Sequence, residues 1–367
     1  MNVTSLIAPQ ALARVEAYAA DADARGHLRG EDVAWLRSSG FLGWTVGTGF
    51  GGRGASAAEL GSLHEQLGAT CQSTRAVVTA HQLATAILDR WGTPDQKRTW
   101  LPALGSGVTL AAFAVTERHT GSDPAAITCR ATRVDGGFRI NGRKCWITSA
   151  SIADVVLISA EIDGEPSTVL IPTRAPGLRV EPAPPLLGFR AAMVGDVVMN
   201  DVFVPEEAIV GPIGSGLMTM VGTGIELGRF ITAWGGVGLV ARLLREARMS
   251  VDRHTGGGRI VNPLVRRLLA QIRVGLESSR ALCLRATVLR DAGDPAMIDA
   301  GVLAKYVSAR AAASAARDAV QLLGAAGCVD TGVAARFFRD AKILEIIEGP
   351  QEVLEAVIGN MWHECLE

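Results

Sequence analysis

The sequence predicts a mainly α chain with a central β domain, in the order helix, β, helix. Three observations carry that prediction. Up to about residue 105, apolar residues recur at three- and four-residue spacing. From 106 to 213, short β-branched runs alternate with turn dipeptides. From 214 to 367 the helical spacing returns in longer stretches. These bounds define three expected domains: 1–105, 106–213 and 214–367.

In the first segment, "APQALARVEAYAADADA", "GEDVAWLRSSG" and "ASAAELGSLHEQLGATC" each place apolar residues on one helical face. "RAVVTAHQLATAILDRWG" continues the pattern and stops at Gly92, before Thr93-Pro94. "FGGRGAS", residues 50–56, reads as a loop. In the second segment, "ATRVDGGFRINGRKCWI" carries Asp-Gly at 135–136 and Asn-Gly at 141–142, dipeptides that favour hairpin turns because they tolerate positive φ. "ADVVLISA", "STVLIP" and "DVVMNDVFVP" are further strands. Strands this short and close suggest a small barrel or sandwich. In the third segment, "RIVNPLVRRLLAQIRVGLESSRALCLRATVLRDAG" is a long amphipathic helix. The next runs from Asp294-Pro295 to Gly324, with an Ala-rich face that permits close packing.

Composition excludes several classes. Net charge is −1, so nothing marks a nucleic-acid binder. No apolar run reaches the ~20 residues that span a bilayer, and Met1 to Gln10 does not read as a signal peptide. The six cysteines are scattered and form no CxxC pair, which argues against zinc or a disulfide framework and fits a reducing cytoplasm. None of the histidines pairs into a ligand pattern, so no metal is expected. His81 lies on a helical stripe and reads as a core or interface residue.

Four fragments could carry chemistry. "FAVTERHTGSDPAAITCRA", 113–131, gathers Thr116, Glu117, Thr120, Gly121, Ser122 and Asp123 where a strand meets a loop. Backbone N–H groups and hydroxyls there suit a phosphate or an electron-rich heterocycle; the plain alternative is a well-capped turn. "KCWITSAS", 144–151, ends a strand with Trp146, which is either core or a stacking wall, and base rates favour core. "VQLLGAAGCVDTG", 320–332, follows a helix, not a strand, so it is a poor dinucleotide fingerprint and reads equally as a helix C-cap. The fourth is Glu348 in "RDAKILEIIEGP". A carboxylate rarely sits in such apolar company unless paired. Arg339 or Lys342 could pair with it; otherwise desolvation raises its pKa and makes it a base near neutral pH.

In this order and spacing, the fragments resemble the acyl-CoA dehydrogenase family. "VTERHTGSD" is similar to its flavin loop, "KCWITS" to its Trp-Ile-Thr segment, and "RDAKILEIIEGP" to the Arg-Asp-Ala-Lys segment that runs to Glu-Gly. "FLGWTVGTGFGG" and "WGTPDQKRTWLPALGSG" also fit, so the resemblance covers essentially the whole chain. It implies an N-terminal helical domain, a middle β-barrel and a C-terminal four-helix bundle. It also implies FAD as cofactor and a homodimer or homotetramer with FAD near a subunit interface.

The resemblance also implies roles. Phe113, Val115, Thr116, Gly121 and Ser122 would contact the flavin and its pyrophosphate. Trp146 would stack on the ring and Thr148 would bond near N5. Arg253, Gln321, Gly324 and Ala325 would reach the partner subunit's FAD. Glu348 would be the general base, tuned by Ile346 and Ile347 and turned by Gly349-Pro350. The sequence departs from the family pattern at Pro350 (usually Thr), Ile347 (often Tyr), Gly256 (usually Phe) and Leu264 (usually Gln).

The implied reaction is FAD-dependent dehydrogenation of an acyl thioester on coenzyme A or acyl carrier protein, with a flavin electron acceptor. The whole chain resembles the carrier-protein-dependent enzymes of hydroxymalonyl and methoxymalonyl extender-unit formation in polyketide pathways, which act on a short hydroxyacyl group. Dehydrogenation of short or branched acyl-CoA, a flavin oxidase or monooxygenase on the same scaffold, and a non-catalytic relative are the rival readings.

Overall fold

The computed structural model describes residues 7–120, 126–256 and 262–364. Five helices come first: α1 (Pro9–Arg25), α2 (Gly30–Ser38), α3 (Ala57–Thr70), α4 (Gln72–Trp91) and α5 (Pro94–Gly105). α3 and α5 begin with reciprocal capping boxes, Ser56 with Glu59 and Thr93 with Gln96. α4 ends at Gly92, where the sequence places its stop.

Seven strands follow: β1 (Ala111–Ala114), β2 (Arg130–Val134), β3 (Gly137–Ile147), β4 (Val155–Ile162), β5 (Glu165–Pro172), β6 (Leu178–Pro182) and β7 (Gly195–Pro205). All belong to one curled sheet of order β1-β4-β2-β3-β7-β6, with β5 on the other edge of β4. β1 pairs the first half of β4 and β2 its last two residues, so they share one edge end to end. Residues 115–120 leave the sheet after β1 and 126–129 lie ahead of β2, and this places Thr116, Glu117 and Thr120 at a rim.

One hairpin is where the sequence puts it, and one is not. Asp135-Gly136 joins β2 to β3, with Val134 opposite Gly137. Asn141-Gly142 does not turn. It lies inside β3, which pairs β7 on both sides of it. A Cβ on Gly142 would stand 2.8 Å from the Cys129 Cα, so glycine serves a close approach there, not a reversal. The extra residue is on β7, where Asp201 (φ 55°) donates its N–H to Asn141 Oδ1 at 2.8 Å.

The C-terminal part is helical. A π-helical segment, Leu217–Ile225, runs into α6 (Glu226–Thr255), followed by α7 (Pro263–Asp291), α8 (Met297–Leu323), α9 (Val333–Ile346) and α10 (Gln351–Glu364). Asn262 caps α7, and Asp294 bonds the Ala296 N–H just ahead of α8. Among the described residues one helix, Leu217–Arg253, is long and apolar enough to cross a membrane; 83% of its apolar window is buried in the fold, which makes it a core helix. α3 and α6 touch through backbone: a Cβ on Gly68 would meet the Gly235 carbonyl oxygen at 2.4 Å, and one on Gly238 the Glu65 carbonyl oxygen at 2.0 Å. That contact brings the N-terminal helices onto the bundle and closes the site between them.

Candidate active site

α4, the ends of β1 and β3, the π-helical segment with α6, and the α9–α10 turn enclose a cavity of about 430 Å³. Glu348, Trp146, Thr148, Phe113, Val115 and Thr116 all line it, together with Arg75 and Arg229. π-helical turns are rare and concentrate at functional sites; here Val221 and Ile225 of that segment face the cavity.

Glu348 stands in a four-residue break, 347–350, between helices. α9 ends at Ile346, Glu348 takes φ 55° and Gly349 φ 101°, and Leu354 N–H already bonds the Pro350 carbonyl at 3.0 Å to start α10. A glutamate at positive φ is strained, and strain of this kind persists where the surroundings impose it. Two cations impose it here. Arg229 Nε donates to the Glu348 carbonyl at 3.3 Å, and Lys305 Nζ donates to the Gly349 carbonyl.

The carboxylate itself accepts no hydrogen bond among the described residues. Arg339 and Lys342 pair elsewhere: Arg339 with Asp23 and Asp330, Lys342 with Glu345 at 3.1 Å. Burial pushes the Glu348 pKa up to about 7, while Arg229, Lys305 and Arg75 hold it back. The same burial lowers Lys305 to about 8. The cover differs from the sequence expectation in part. Ile347 packs on the core, but Ile346 is half exposed, and the tighter neighbour is Gly228 of α6.

Trp146 overturns the base-rate reading of a core indole. It is 54% exposed and lines the cavity. Cys145 and Trp146 together face the single residue Asp196, a β-bulge that turns Trp146 to φ 60°. Asp196 Oδ1 accepts the Trp146 N–H at 3.0 Å, and Arg143 anchors that carboxylate at 2.7 Å.

The rim loop is held by a buried ion pair. Lys144 Nζ lies 2.7 Å from Glu117 Oε1 and also donates to the Val115 carbonyl at 3.2 Å. Glu117 further accepts the backbone N–H groups of Thr128 and Cys129. Glu117 is therefore a fastener, not a ligand, and Val115 and Thr116 owe their placement to it.

Of the other expected residues, Gly121 and Ser122 lie outside the described residues. Arg253, Gln321, Gly324 and Ala325 are exposed at the ends of α6 and α8 and do not line the cavity. His81 is core, as expected: it is fully buried and its Nδ1 accepts the Ala111 N–H at 3.0 Å. Sequence reasoning missed Arg75, Gly228, Arg229 and Lys305. Arg75 and Lys305 carry a local signal, the first a charge that opens the apolar run "RAVVTA", the second a lone charge inside "AGVLAKYV".

Three family models match in register with this architecture: the acyl-CoA dehydrogenase N-terminal domain over residues 8–108, the middle domain over 112–202 and the C-terminal domain over 214–361. The short-chain specific acyl-CoA dehydrogenase of Clostridium acetobutylicum is 30% identical over 94% of this chain and 93% of that protein. The solved structure of FkbI, described as for biosynthesis of the methoxymalonyl extender unit of the FK520 polyketide, is 30% identical with a TM-score of 0.88, covering 97% of this chain and 98% of that one. Butyryl-CoA dehydrogenase from Megasphaera elsdenii is 25% identical with a TM-score of 0.89, over 96% and 94%. With all three domains matched along nearly its full length, the chain belongs to the acyl-CoA dehydrogenase family.

Proposed function

We propose that this protein dehydrogenates a short hydroxyacyl thioester carried by an acyl carrier protein, with Glu348 as the base that takes the α proton. Members of the family are FAD-dependent oxidoreductases. The single observation that carries the assignment of Glu348 is its position: an unbonded carboxylate, poised near pH 7, in the same cavity as Trp146 and Thr148.

The residues present fit FAD. A half-exposed indole beside Phe113, Val115 and the Thr148 hydroxyl makes a wall suited to a planar ring. Thr120 Oγ1 is buried without a partner among the described residues, on the rim where a pyrophosphate is expected. When bound, FAD supplies the hydride acceptor for the β hydrogen. Everything else falls to the chain. Glu348 takes the α proton onto its carboxylate as the Cα–Cβ double bond forms. Arg229 and Lys305 hold the turn that aims it, and the apolar walls exclude water. Gly121 and Ser122 would hold the pyrophosphate. Arg253, Gln321, Gly324 and Ala325 would reach a partner subunit's FAD in a homodimer or homotetramer, which their exposure permits. The reduced flavin would pass its electrons to an external flavin acceptor.

The carrier-protein substrate rests on the likeness to FkbI. A short or branched acyl-CoA substrate is the second reading, favoured by the likeness to short-chain acyl-CoA dehydrogenases. The boundaries near 105 and 213, in the turns between α5 and β1 and between β7 and the π-helical segment, are proposed with it. A cytoplasmic location is supported by the free cysteines 71, 129, 145, 283 and 328.

The test is anaerobic. The purified yellow protein is mixed with hydroxyacyl-carrier-protein or with acyl-CoA thioesters, and the flavin band near roughly 450 nm is followed. Bleaching by the carrier-bound thioester supports the proposal. Bleaching by acyl-CoA alone supports the second reading, and a protein that no thioester bleaches contradicts both.

A further inference from the structure

The cavity has an open end and a closed one. Trp146 and Ile346 line it and are half exposed, so they mark its mouth. Arg75, Ala76 and Phe189 line it too and are buried. Arg75 and Ala76 belong to the first turn of α4, and a Cβ on Gly235 of α6 would stand 2.5 Å from the Arg75 Cδ. The two helices close on each other there, so an acyl chain that enters at the mouth ends against this wall.

Phe189 is the part of the wall that neither helix supplies. It sits in the connection between β6 and β7. Its φ is 53°, an outlier for a bulky residue. Such a conformation persists only where the surroundings over-determine it, and here they do. Its N–H donates to Asp340 Oδ1 at 2.7 Å, and its carbonyl accepts the Ala192 N–H at 2.9 Å. Asp340 is itself buried, in the middle of α9. A Cβ on Gly188 would stand 2.5 Å from the Arg339 carbonyl oxygen, so the connection lies directly on the α9 backbone. On its other side Ala191 donates its N–H to Ser73 Oγ at 3.2 Å, which ties it to the start of α4.

The ring is fixed as firmly as the backbone. It is buried in the helical core, and the Arg75 guanidinium lies over it, 5.7 Å from its centroid. The α4 residues that face it along the cavity are small: Ala76, Thr79 and Ala80. Against that face the ring is the bulk that ends the space, and it has nowhere to move.

We propose that Phe189 sets the length of the acyl group that this protein accepts: its ring ends the acyl pocket, so short chains fit and longer ones collide with it. This deepens the reading of the cavity as an acyl thioester site and rests on it. Added methylenes strengthen binding to apolar walls as long as there is room for them. Against a fixed ring they must displace packed atoms, and packed interiors resist that.

The test uses the FAD-loaded protein with Glu348→Gln, which prevents turnover, and isothermal titration calorimetry. The probes are butanoyl, hexanoyl and octanoyl thioesters, each on coenzyme A and on an acyl carrier protein. With Phe189 in place, octanoyl should bind at least about tenfold more weakly than butanoyl, the scale on which a packed pocket refuses added methylenes. Adding Phe189→Gly should reverse that order, because glycine takes positive φ without strain and opens the wall. Phe189→Leu should fall between the two. Octanoyl bound as tightly as butanoyl with Phe189 in place overturns the proposal, whether or not the Phe189 variants fold. A length cut-off that survives Phe189→Gly overturns it too. In both of those cases thioester binding leaves the dehydrogenase reading standing; a protein that takes no thioester overturns both.

Discussion

Gly228 and Glu348 are in contact in a way only glycine allows: a Cβ at position 228 would stand 2.4 Å from Glu348 Oε2. α6 thus gives up a side chain so that the carboxylate can lie against its backbone. Real Cβ atoms do not approach that closely, so Gly228→Ala must push Glu348 out of place. A misplacement of about 1 Å costs on the order of 10²-fold in rate. We expect Gly228→Ala to keep FAD and lose about a hundredfold in the rate of flavin reduction by thioester. An unchanged rate in that variant contradicts the placement.

The raised pKa of Glu348 fixes a pH dependence. The base acts as carboxylate, so flavin reduction rises with pH and levels off above about 7. Below that point each pH unit costs about tenfold. A rate that falls as pH rises from 6 to 8 contradicts the assignment.

The same shift has a stability consequence. Between the ordinary carboxylate value of 4.5 and about 7, the folded protein binds the Glu348 proton more tightly than the unfolded chain. Stability therefore drops as pH rises through that window. Glu348→Gln removes the cost. The variant should match the wild type near pH 4.5 and exceed it above pH 7, by up to ~3 kcal/mol at 1.36 kcal/mol per unit, less what water at the cavity screens. Urea unfolding at both pH values measures the gap.

Lys144 and Glu117 form a pair with side-chain exposures of 0% and 3%. Lys144→Met leaves Glu117 charged and buried, a loss of about 3–5 kcal/mol for a broken buried pair. Because the pair also holds the Val115 carbonyl, FAD affinity should fall with stability. Denaturation and flavin titration read the two effects, and a variant of normal stability contradicts the fastening role.

Trp146 is held at φ 60° with its indole half exposed. Trp146→Gly relieves the backbone strain and removes little packing, so the protein without FAD should stay within about 1 kcal/mol of wild type. Its FAD affinity should drop at least about tenfold, since stacking of a ring on an aromatic contributes about that much. A variant that unfolds instead assigns Trp146 to the core.

The helix, β, helix order was legible because hydrophobic period is a local property, and each long stretch keeps one period. The Asp135-Gly136 hairpin was legible for the same reason. Asn141-Gly142 was not, because whether Asn-Gly turns or runs straight depends on β7, about sixty residues away. Trp146 read as core because the bulge that rotates it outward is set by Asp196, not by its own neighbours. The resemblance found Glu348, but not what surrounds it. Arg75, Gly228, Arg229 and Lys305 come from three helices distant in sequence, and nothing local shows that a glycine on α6 makes room for a carboxylate or a guanidinium. Arg253, Gln321, Gly324 and Ala325 carried no local signal beyond their likeness to the family.

The most direct measurement compares wild type with Glu348→Gln, both loaded with FAD, mixed anaerobically with a thioester that bleaches the wild type. The base assignment predicts that the variant binds FAD and thioester normally and is reduced at least about a thousandfold more slowly, at the scale of general-base catalysis. Reduction of the variant at the wild-type rate contradicts it and places the base elsewhere in the cavity.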